Sequence, residues 1–280
     1  MQTVKTVQKL REKIHHEKSQ GKRIAFVPTM GNLHDGHIAL VHKAKSLSDF
    51  VVTSIFVNPM QFGQNEDLDS YPRTLDADSD KLIAAGNNLL FTPTPEVIYP
   101  QGLERQTQVI VPFVTELHCG ASRPGHFTGV STVVNMLFNM VQPHVAVFGE
   151  KDYQQLAVIR KMVKDLQMPV EICGLPTQRA NDGLALSSRN GYLSSQERKI
   201  APTLYQTLQQ SLQQLKNQTH TPETVAQEAI STLEAAGFSV DYFNIVDSET
   251  LQPATVSTKK TTILAAAFLG KTRLIDNISL

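Results

Sequence analysis

Two histidines near the amino-terminal end of the chain stand three residues apart, in the stretch PTMGNLHDGH at 28–37. The stretch follows a short apolar run at 24–27 and precedes apolar residues at helical spacing, so the sequence predicts a strand, a turn and a helix. Glycines let the backbone approach a phosphate closely, and the amino-terminal end of a helix attracts negative charge. His34 and His37 could therefore both donate to one phosphate and, if protonated, stabilise the negative charge that develops on it.

This histidine pair has two other interpretations. A surface turn with incidental histidines would explain the tetrapeptide alone, but it fits less well in a strand–turn–helix setting, where open α/β sheets bind ligands. A zinc site is disfavoured because no third His, Cys or carboxylate stands at a convincing spacing. The two cysteines, Cys119 and Cys173, also lack metal spacing, and we expect both to be reduced thiols. A phosphate site is the favoured interpretation.

Four further polar motifs punctuate the chain. They are NPMQFG at 58–63, RPGHFTGV at 123–130, GEKD at 149–152 and LSSRN at 186–190. Amide side chains of the first can orient a small polar substrate, Lys151 can hold a phosphate, and Asp152 can coordinate Mg²⁺. Two hydroxyls and a guanidinium in the last suit a triphosphate. Each motif alone could be an ordinary turn, helix entry or polar loop, and no Walker loop occurs.

The elements that must position these motifs alternate between strands and helices up to about Pro176. Strands are predicted at 24–27, 51–57, 89–91, 109–111, 145–148 and 170–173. The clearest helix runs from Gly129 to Val141, with apolar residues on one face and Pro143 after its end. Strands that alternate with helices predict a parallel sheet covered on both faces.

The pattern changes after Pro176. Helices are predicted at 194–215 and 221–236, and strands follow at 240–246, 262–268 and 273–278. Helices followed by strands indicate a smaller α+β domain with an antiparallel sheet.

Composition narrows the classes of function. The chain has 280 residues, of which 41% are hydrophobic, so it can bury a core and has room for two domains. Lys plus Arg equals Asp plus Glu at 26 each, and this balance argues against a nucleic acid as the main partner. The sequence has no apolar run long enough for a membrane span, and its polar start lacks the apolar core of a signal peptide. We expect a cytoplasmic protein.

Five motifs occur in the order and approximate spacing of pantothenate synthetases. They are PTMGNLHDGH at 28–37, NPMQFG at 58–63, RPGHFTGV at 123–130, FGEKDYQQ at 148–155 and DGLALSSRN at 182–190. The H-x-G-H element recurs in many nucleotidyltransferases and in class I aminoacyl-tRNA synthetases, but the five motifs together resemble this one family. The departures are Asn32, where the family often has Ala, and Leu186, where Met is frequent, and neither is a reacting group.

The resemblance implies a Rossmann-like parallel-sheet domain at 1–178, a smaller C-terminal α+β lid domain at 179–280, and a homodimer. It implies ATP-dependent condensation of (R)-pantoate with β-alanine through a pantoyl-adenylate, with Mg²⁺ and with release of AMP and pyrophosphate. The alternatives are a nucleotidyltransferase for another small substrate and a non-catalytic nucleotide-binding module. Independently, the polar composition of 63–71 indicates a mobile loop that could cover the site.

The resemblance also implies an ATP site. His34 and His37 would lie at the phosphates, with His37 in the acid role, and Lys151 and Arg189 would complete the catalytic set. The residues implied to bind ATP are Met30, Gly31, Asn32, Leu33, His34, Asp35, Gly36, His37, Gly149, Glu150, Lys151, Asp152, Gln178, Leu186, Ser187, Ser188 and Arg189.

Further positions are implied for the acid, the amine and the metal. Gln61 would contact pantoate and β-alanine with Asn58 nearby, Gln155 would hold pantoate, and Asp152 would support Mg²⁺. The substrates supply both nucleophiles of such a reaction, so the protein needs none of its own and acts by positioning and charge stabilisation.

Overall fold

A computed structural model describes residues 1–63, 68–217, 220–255 and 257–280 of the chain, which group into two compact units. The first unit comprises Met1–Thr115, Arg123–Glu150 and Gln155–Pro176. The second unit comprises Glu116–Ser122, Lys151–Gln154 and Thr177–Leu280. Residues 64–67 of the expected mobile loop lie outside the described residues. Its lid role and a domain boundary after residue 178 stay predictions.

A parallel sheet of six strands forms the centre of the first unit in the part of the chain that the structure describes. The strands are β1 (Gln2–Val4), β2 (Ile24–Thr29), β3 (Phe50–Ile55), β4 (Leu89–Phe91), β5 (Val145–Gly149) and β6 (Glu171–Leu175). Their order across the sheet is β1-β4-β3-β2-β5-β6. After β2, the chain adds β3 and β4 on one side of this strand, and then β5 and β6 on its other side. In open α/β sheets, ligands bind outside the carboxyl ends of the strands at such a switch point.

Helices surround the sheets of both units. In chain order they are α1 (Val7–Ser19), α2 (Asp35–Leu47), α3 (Leu75–Ala84), α4 (Pro95–Ile98), α5 (Cys119–Ser122), α6 (His126–Val141), α7 (Tyr153–Asp165), α8 (Ser195–Ile200), α9 (Thr203–Lys216) and α10 (Pro222–Ala235). Ala25 and Val27 of β2 share a core with the buried side of α2, whereas Phe26 meets Phe138 of α6 edge-on with ring centroids 6.3 Å apart. The alternation along β2 explains why this strand, covered on both faces, is apolar from Ile24 to Val27. Within the described ranges, no helix has both the length and the apolar character that crossing a membrane requires.

The strand predicted at 109–111 is wrong. This segment is irregular, and its backbone bonds to side chains of α6 rather than to a neighbouring strand. The Val109 N–H donates to Thr132 Oγ1 at 3.0 Å, and the Val109 carbonyl accepts from Ser131 Oγ at 2.5 Å. Because these helix hydroxyls satisfy both backbone polar groups of Val109, this residue does not need a sheet partner.

The second unit contains an antiparallel sheet in the order β7-β8-β9. Its strands are β7 (Ser239–Asp247), β8 (Thr261–Leu269) and β9 (Thr272–Ser279). Buried residues of α9 and α10, such as Leu208 and Leu233, form a common core with Phe243 and Ile263 of the sheet. The single helix predicted at 194–215 is wrong, because the chain breaks into α8 and α9 around Pro202, which cannot donate a backbone hydrogen bond. The predicted fold class, a parallel α/β sheet with a smaller α+β part, is confirmed.

Candidate active site

A tight turn joins the end of β2 to the start of α2. Thr29 Oγ1 donates to the Ser54 carbonyl on β3 at 2.8 Å and accepts from the Gly31 N–H at 3.4 Å. Gly31 has a φ of 86° and Asn32 a φ of 49°, a left-handed conformation that glycine and asparagine adopt more readily than other residues. A Cβ atom on Gly31 would lie 3.1 Å from Ile55 Cγ2, so close packing also favours glycine.

A buried carboxylate on α3 holds the same turn. Asp78 is 1% exposed, and its two oxygens accept from the N–H groups of Asn32 at 2.9 Å and Leu33 at 2.7 Å. Lys81 Nζ donates to the Leu33 carbonyl at 2.6 Å. Asp78 thus binds two N–H groups of the turn and Lys81 binds one of its carbonyl groups. Because hydrogen bonds to charged groups are stronger than neutral ones, α3 holds the turn firmly. Sequence analysis missed this helix, whose one signal was the acidic first turn with Asp76 and Asp78.

The two predicted histidines cap the start of α2 through their Nδ1 atoms. His34 Nδ1 accepts from the Gly36 N–H at 3.1 Å, and His37 Nδ1 accepts from the His34 N–H at 3.3 Å. The ring centroids lie 4.1 Å apart. A neutral imidazole whose Nδ1 accepts carries its hydrogen on Nε2. Both rings can therefore donate through Nε2 without gaining a second proton.

The second motif forms a 3₁₀ turn that ends at Gln61, just beyond β3. The buried Asn58 donates from Nδ2 to Gln61 Oε1 at 3.3 Å and to the Gly129 carbonyl at 3.1 Å. Tyr99 donates from its hydroxyl to Asn58 Oδ1 at 2.6 Å, and burial raises the pKa of Tyr99, which keeps that hydrogen in place. Gln61 Nε2 donates to Met30 Sδ at 2.9 Å. The structure thus brings the first two motifs together.

The RPGHFTGV motif at 123–130 supports the second motif from α6. His126 Nδ1 lies 2.8 Å from the Gln61 carbonyl oxygen, and Arg123 Nη1 lies 3.1 Å from His126 Nε2. A Cβ atom on Gly129 would lie only 2.7 Å from the Gln61 backbone nitrogen. Glycine therefore allows α6 to approach the turn this closely. The motif stood out in the sequence, but the sequence indicated no role for it. Its contacts show that it supports the turn at Gln61.

The remaining predicted residues of the first unit follow β5. Residues Ala25 and Phe26 of β2 pair with the start of β5, so the two carboxyl ends are neighbours at the switch point. Gly149 ends β5 and Glu150 follows it, while Gln155 lies half-buried in the first turn of α7. The connection between β5 and α7 is thus what positions these three residues.

The fifth motif lies in a closed loop of the second unit. The Leu186 N–H donates to the Gln178 carbonyl at 2.9 Å, which ties the two ends of the loop together. Ser187 Oγ accepts from the Arg189 N–H at 3.2 Å and starts the 3₁₀ turn Ser188–Tyr192. Gln178 and residues 186–189 are therefore parts of one local structure.

Lys151 and Asp152 belong to the same unit as that loop. Lys151, Ser187 and Asp276 are among the residues that line one small cavity. Over the described residues, no cluster of three His, Cys, Asp or Glu could hold a metal ion by itself. A single carboxylate such as Asp152 nevertheless fits Mg²⁺, which binds few protein carboxylates when it also binds substrate phosphates.

Comparisons with curated proteins agree with this arrangement. A family model described as pantoate-beta-alanine ligase matches residues 2–279. The pantothenate synthetase of Hahella chejuensis is 63% identical over 279 residues, which span 100% of this chain and 99% of that protein. The pantothenate synthetase of Marinobacter nauticus is 61% identical over 280 residues, with the same coverage of 100% and 99%.

Solved structures give the same result. The pantothenate synthetase of Thermus thermophilus matches with a TM-score of 0.92 and 47% identity, over 99% of each chain. The pantoate-beta-alanine ligase of Francisella tularensis, solved in complex with beta-gamma ATP and beta-alanine, matches with a TM-score of 0.84 and 35% identity, over 99% of this chain and 97% of that one. The resemblance found in the five motifs is confirmed, and the chain belongs to the pantoate–β-alanine ligase family.

Proposed function

We propose that this chain condenses pantoate with β-alanine to form pantothenate, with cleavage of ATP to AMP and pyrophosphate. The observation that carries the proposal is the pair His34 and His37, whose Nδ1 atoms accept backbone hydrogen bonds at the start of α2. Two Nε2 donors at a helix amino terminus, beside the switch point of a parallel sheet, suit a nucleotide phosphate. Family membership and the ligands of the Francisella relative support the identity of the substrates.

The reaction proceeds in two displacements. A carboxylate oxygen of pantoate attacks the α-phosphorus of ATP, the bond from that phosphorus to the bridging oxygen breaks, and pyrophosphate leaves. The amine of β-alanine then attacks the acyl carbon, AMP leaves with the former carboxylate oxygen, and the nitrogen loses a proton. Because the substrates supply both nucleophiles, the protein acts by orientation and by stabilisation of developing negative charge.

Residues of the first unit take the following roles in this proposal. His34 and His37 donate from Nε2 to phosphate oxygens, and His37 takes the acid role as a hydrogen-bond donor to the developing negative charge. Gln61 holds pantoate and β-alanine, and its hydrogen bond with Asn58 fixes which end of the Gln61 amide donates. Gln155 holds pantoate.

Residues of the second unit act on the nucleotide. Lys151 and Arg189 neutralise phosphate charge, the loop at 186–189 closes over the phosphates, and the Gln178 backbone contacts adenine. Asp152 would hold Mg²⁺, which neutralises phosphate charge when it is bound.

An assay of AMP formation tests the proposal. We expect sustained AMP release only when ATP, pantoate and β-alanine are all present. AMP release that does not depend on β-alanine would favour a nucleotidyltransferase, and ATP binding without turnover would favour a non-catalytic module. As a control, His37→Ala should keep the fold and lose about 10²–10³ in the rate of adenylate formation.

We also propose a cytoplasmic homodimer. Cys119 and Cys173 are not joined by a disulfide, which suits a reducing compartment. Ile110 and Phe113, three positions apart in the sequence, are 69% and 70% exposed, and a partner subunit that covered both would remove their apolar surface from water. Analytical ultracentrifugation should give a molecular mass of twice 31.0 kDa for the wild type. The variant with Glu in place of both Ile110 and Phe113 should be a monomer. A monomeric wild-type chain would contradict the dimer.

A further inference from the structure

Two adjacent residues near the end of β9 anchor two segments of the second unit that are proposed to bind ATP. These segments are the turn that carries Lys151 and the loop at 186–189. Asp276 is 4% exposed and Asn277 is 8% exposed. Successive side chains of a strand point to opposite faces, so the pair can reach two different neighbours. Neither residue is implied by the motifs, and neither was singled out by the sequence.

Asn277 holds the segment that carries Lys151. Asn277 Nδ2 donates to the Lys151 carbonyl oxygen at 2.9 Å. Lys151 lies in the 3₁₀ turn Glu150–Asp152, which follows β5 directly. A hydrogen bond to the backbone of this residue fixes where its side chain begins, and aspartate in place of asparagine could not donate it.

Asp276 holds the loop that ends in residues 186–189. Its two oxygens accept from Arg179 Nη1 at 2.6 Å and Nη2 at 2.9 Å, a bidentate ion pair. Arg179 also donates to the Gly183 carbonyl at 3.1 Å, and its guanidinium lies 3.5 Å from the centroid of the Tyr205 ring. A planar guanidinium held on so many sides has little freedom to move.

The Arg179 backbone transmits this anchoring to the loop. Arg179 pairs with Ala185 in an isolated antiparallel bridge. On either side of the bridge, the Ala180 N–H donates to the Leu184 carbonyl and the Leu186 N–H donates to the Gln178 carbonyl, both at 2.9 Å. The position of Leu186, and with it that of the residues that follow, therefore depends on the ion pair.

We propose that Asp276 and Asn277 are positioning residues for ATP, which fix the distance between Lys151 and the loop at 186–189. Lys151, Ser187 and Asp276 line the same small cavity, so the two segments face each other across the anchor. This inference rests on the proposed role of both segments in ATP binding. It extends that role to residues that need not touch the nucleotide.

The test compares ATP affinity in Asn277→Asp and Asp276→Asn variants. Each change keeps the shape of the side chain but removes the donor or the charge. We expect the Kd for ATP, measured by calorimetry, and the KM for ATP to rise roughly tenfold, since one buried hydrogen bond contributes about that factor. The KM values for pantoate and β-alanine should stay within about twofold of the wild type, because neither variant alters the first unit.

A double-mutant cycle separates positioning from a general loss of stability. If Asn277 acts through Lys151, Asn277→Asp should have little further effect on the Kd for ATP when Lys151→Ala is already present. Additive effects of the two substitutions would overturn the proposed route. Arg179→Lys keeps the charge and loses the bidentate geometry. It therefore tests the effect of the Asp276–Arg179 ion pair on the loop if Asp276→Asn does not fold.

Asp241→Asn is the matched control. On β7 of the same sheet, Asp241 Oδ2 accepts from Arg273 Nη2 at 2.6 Å and from Arg273 Nε at 3.1 Å, an aspartate–arginine ion pair through one carboxylate oxygen. Its loss should lower the melting temperature without a change in the Kd for ATP. If Asp276→Asn and Asn277→Asp also leave the Kd unchanged, the inference is wrong. Absence of AMP formation by the wild-type chain would instead contradict the proposed function, because the binding comparison does not depend on turnover.

Discussion

His34 and His37 accept backbone hydrogen bonds at Nδ1, at 3.1 Å and 3.3 Å, so the backbone of α2 selects the tautomer of both rings. The sequence predicted these two residues from their spacing and their place after a strand. It could not predict the tautomer, because that depends on which backbone N–H groups the turn brings to each ring. Local structure therefore specifies which nitrogen of each ring donates, as much as residue type does.

Substitutions of His37 can distinguish the two ring nitrogens. Glutamine places an amide nitrogen near the position of Nε2, whereas asparagine reaches only the position of Nδ1. We expect His37→Asn to lose about 10²–10³ in adenylate formation, and His37→Gln to retain at least roughly tenfold more activity than His37→Asn. Single-turnover release of pyrophosphate measures this step. Equal rates for the two variants would contradict an Nε2 donor.

Asp78 illustrates a site residue that the sequence could not reveal. Its carboxylate accepts from the N–H groups of Asn32 and Leu33, 46 and 45 positions away along the chain. We expect Asp78→Asn to lower the free energy of unfolding by about 1–3 kcal/mol and to raise the KM for ATP, because one N–H then meets an amide donor. Urea denaturation and initial rates measure the two effects. Asp76→Asn, an exposed change in the same helical turn, should alter neither.

At the scale of elements, α6 positions the Gln61 turn by direct contact. Gly129→Ala would introduce a Cβ atom 2.7 Å from the Gln61 backbone nitrogen, so the turn must shift or the helix must move away. We expect the free energy of unfolding to fall by about 1–3 kcal/mol. We also expect the KM for pantoate to rise more than the KM for ATP. Gly191→Ala is the control, since its added Cβ would have no heavy atom within 4 Å. A raised KM for both substrates alike would argue against a local effect on Gln61.

The accuracy of the predicted elements follows the strength of their apolar patterns. The strands β2, β3 and β5 are buried on both faces, and their apolar runs identified them. The three-residue β1, the mostly polar α1 and the acidic α3 carry weak patterns, and the sequence missed all three. The segment 109–111 has the apolar character of a strand, but hydroxyl groups of α6 satisfy the backbone of Val109. Whether a neighbouring helix offers such groups depends on tertiary structure that the sequence does not display.

At the scale of the whole molecule, each unit contains a histidine whose pKa is lowered in the native state. In the second unit, His118 Nδ1 accepts from Asn244 and Nε2 donates to the Leu251 carbonyl, and burial lowers the pKa of His118. In the first unit, His144 Nδ1 accepts from the Ile24 N–H. Partial burial and then the charges of neighbouring cations lower the pKa of His144. Both rings resist protonation in the folded chain.

We therefore expect acid to destabilise the protein from about pH 6.5 downward, the ordinary pKa of an unfolded histidine. A histidine with a lowered native pKa binds more protons when unfolded, so its stabilising effect is complete above the unfolded pKa of about 6.5 and is lost as the pH falls through the native pKa. Urea denaturation at about pH 7.5, 6.5 and 5.5 measures the slope across that window. His118→Gln, which keeps a donor for Leu251, should flatten that slope, whereas the exposed change His15→Gln should not. An unchanged slope in His118→Gln would show that His118 does not cause the loss of stability in acid.

The order of the strands has a consequence for synthesis on the ribosome. Strand β2 gains its partner β3 soon after both emerge, but Ala25 pairs with Val145 of β5, roughly 120 residues later, which takes about 6 to 24 s of translation. During that time the nascent chain presents one side of β2 with unpaired N–H and C=O groups next to apolar side chains. Such an edge can pair with another nascent chain on the same messenger RNA. The edge of β2 that later faces β5 therefore stays unprotected until translation reaches β5, and a bound chaperone would cover it until then.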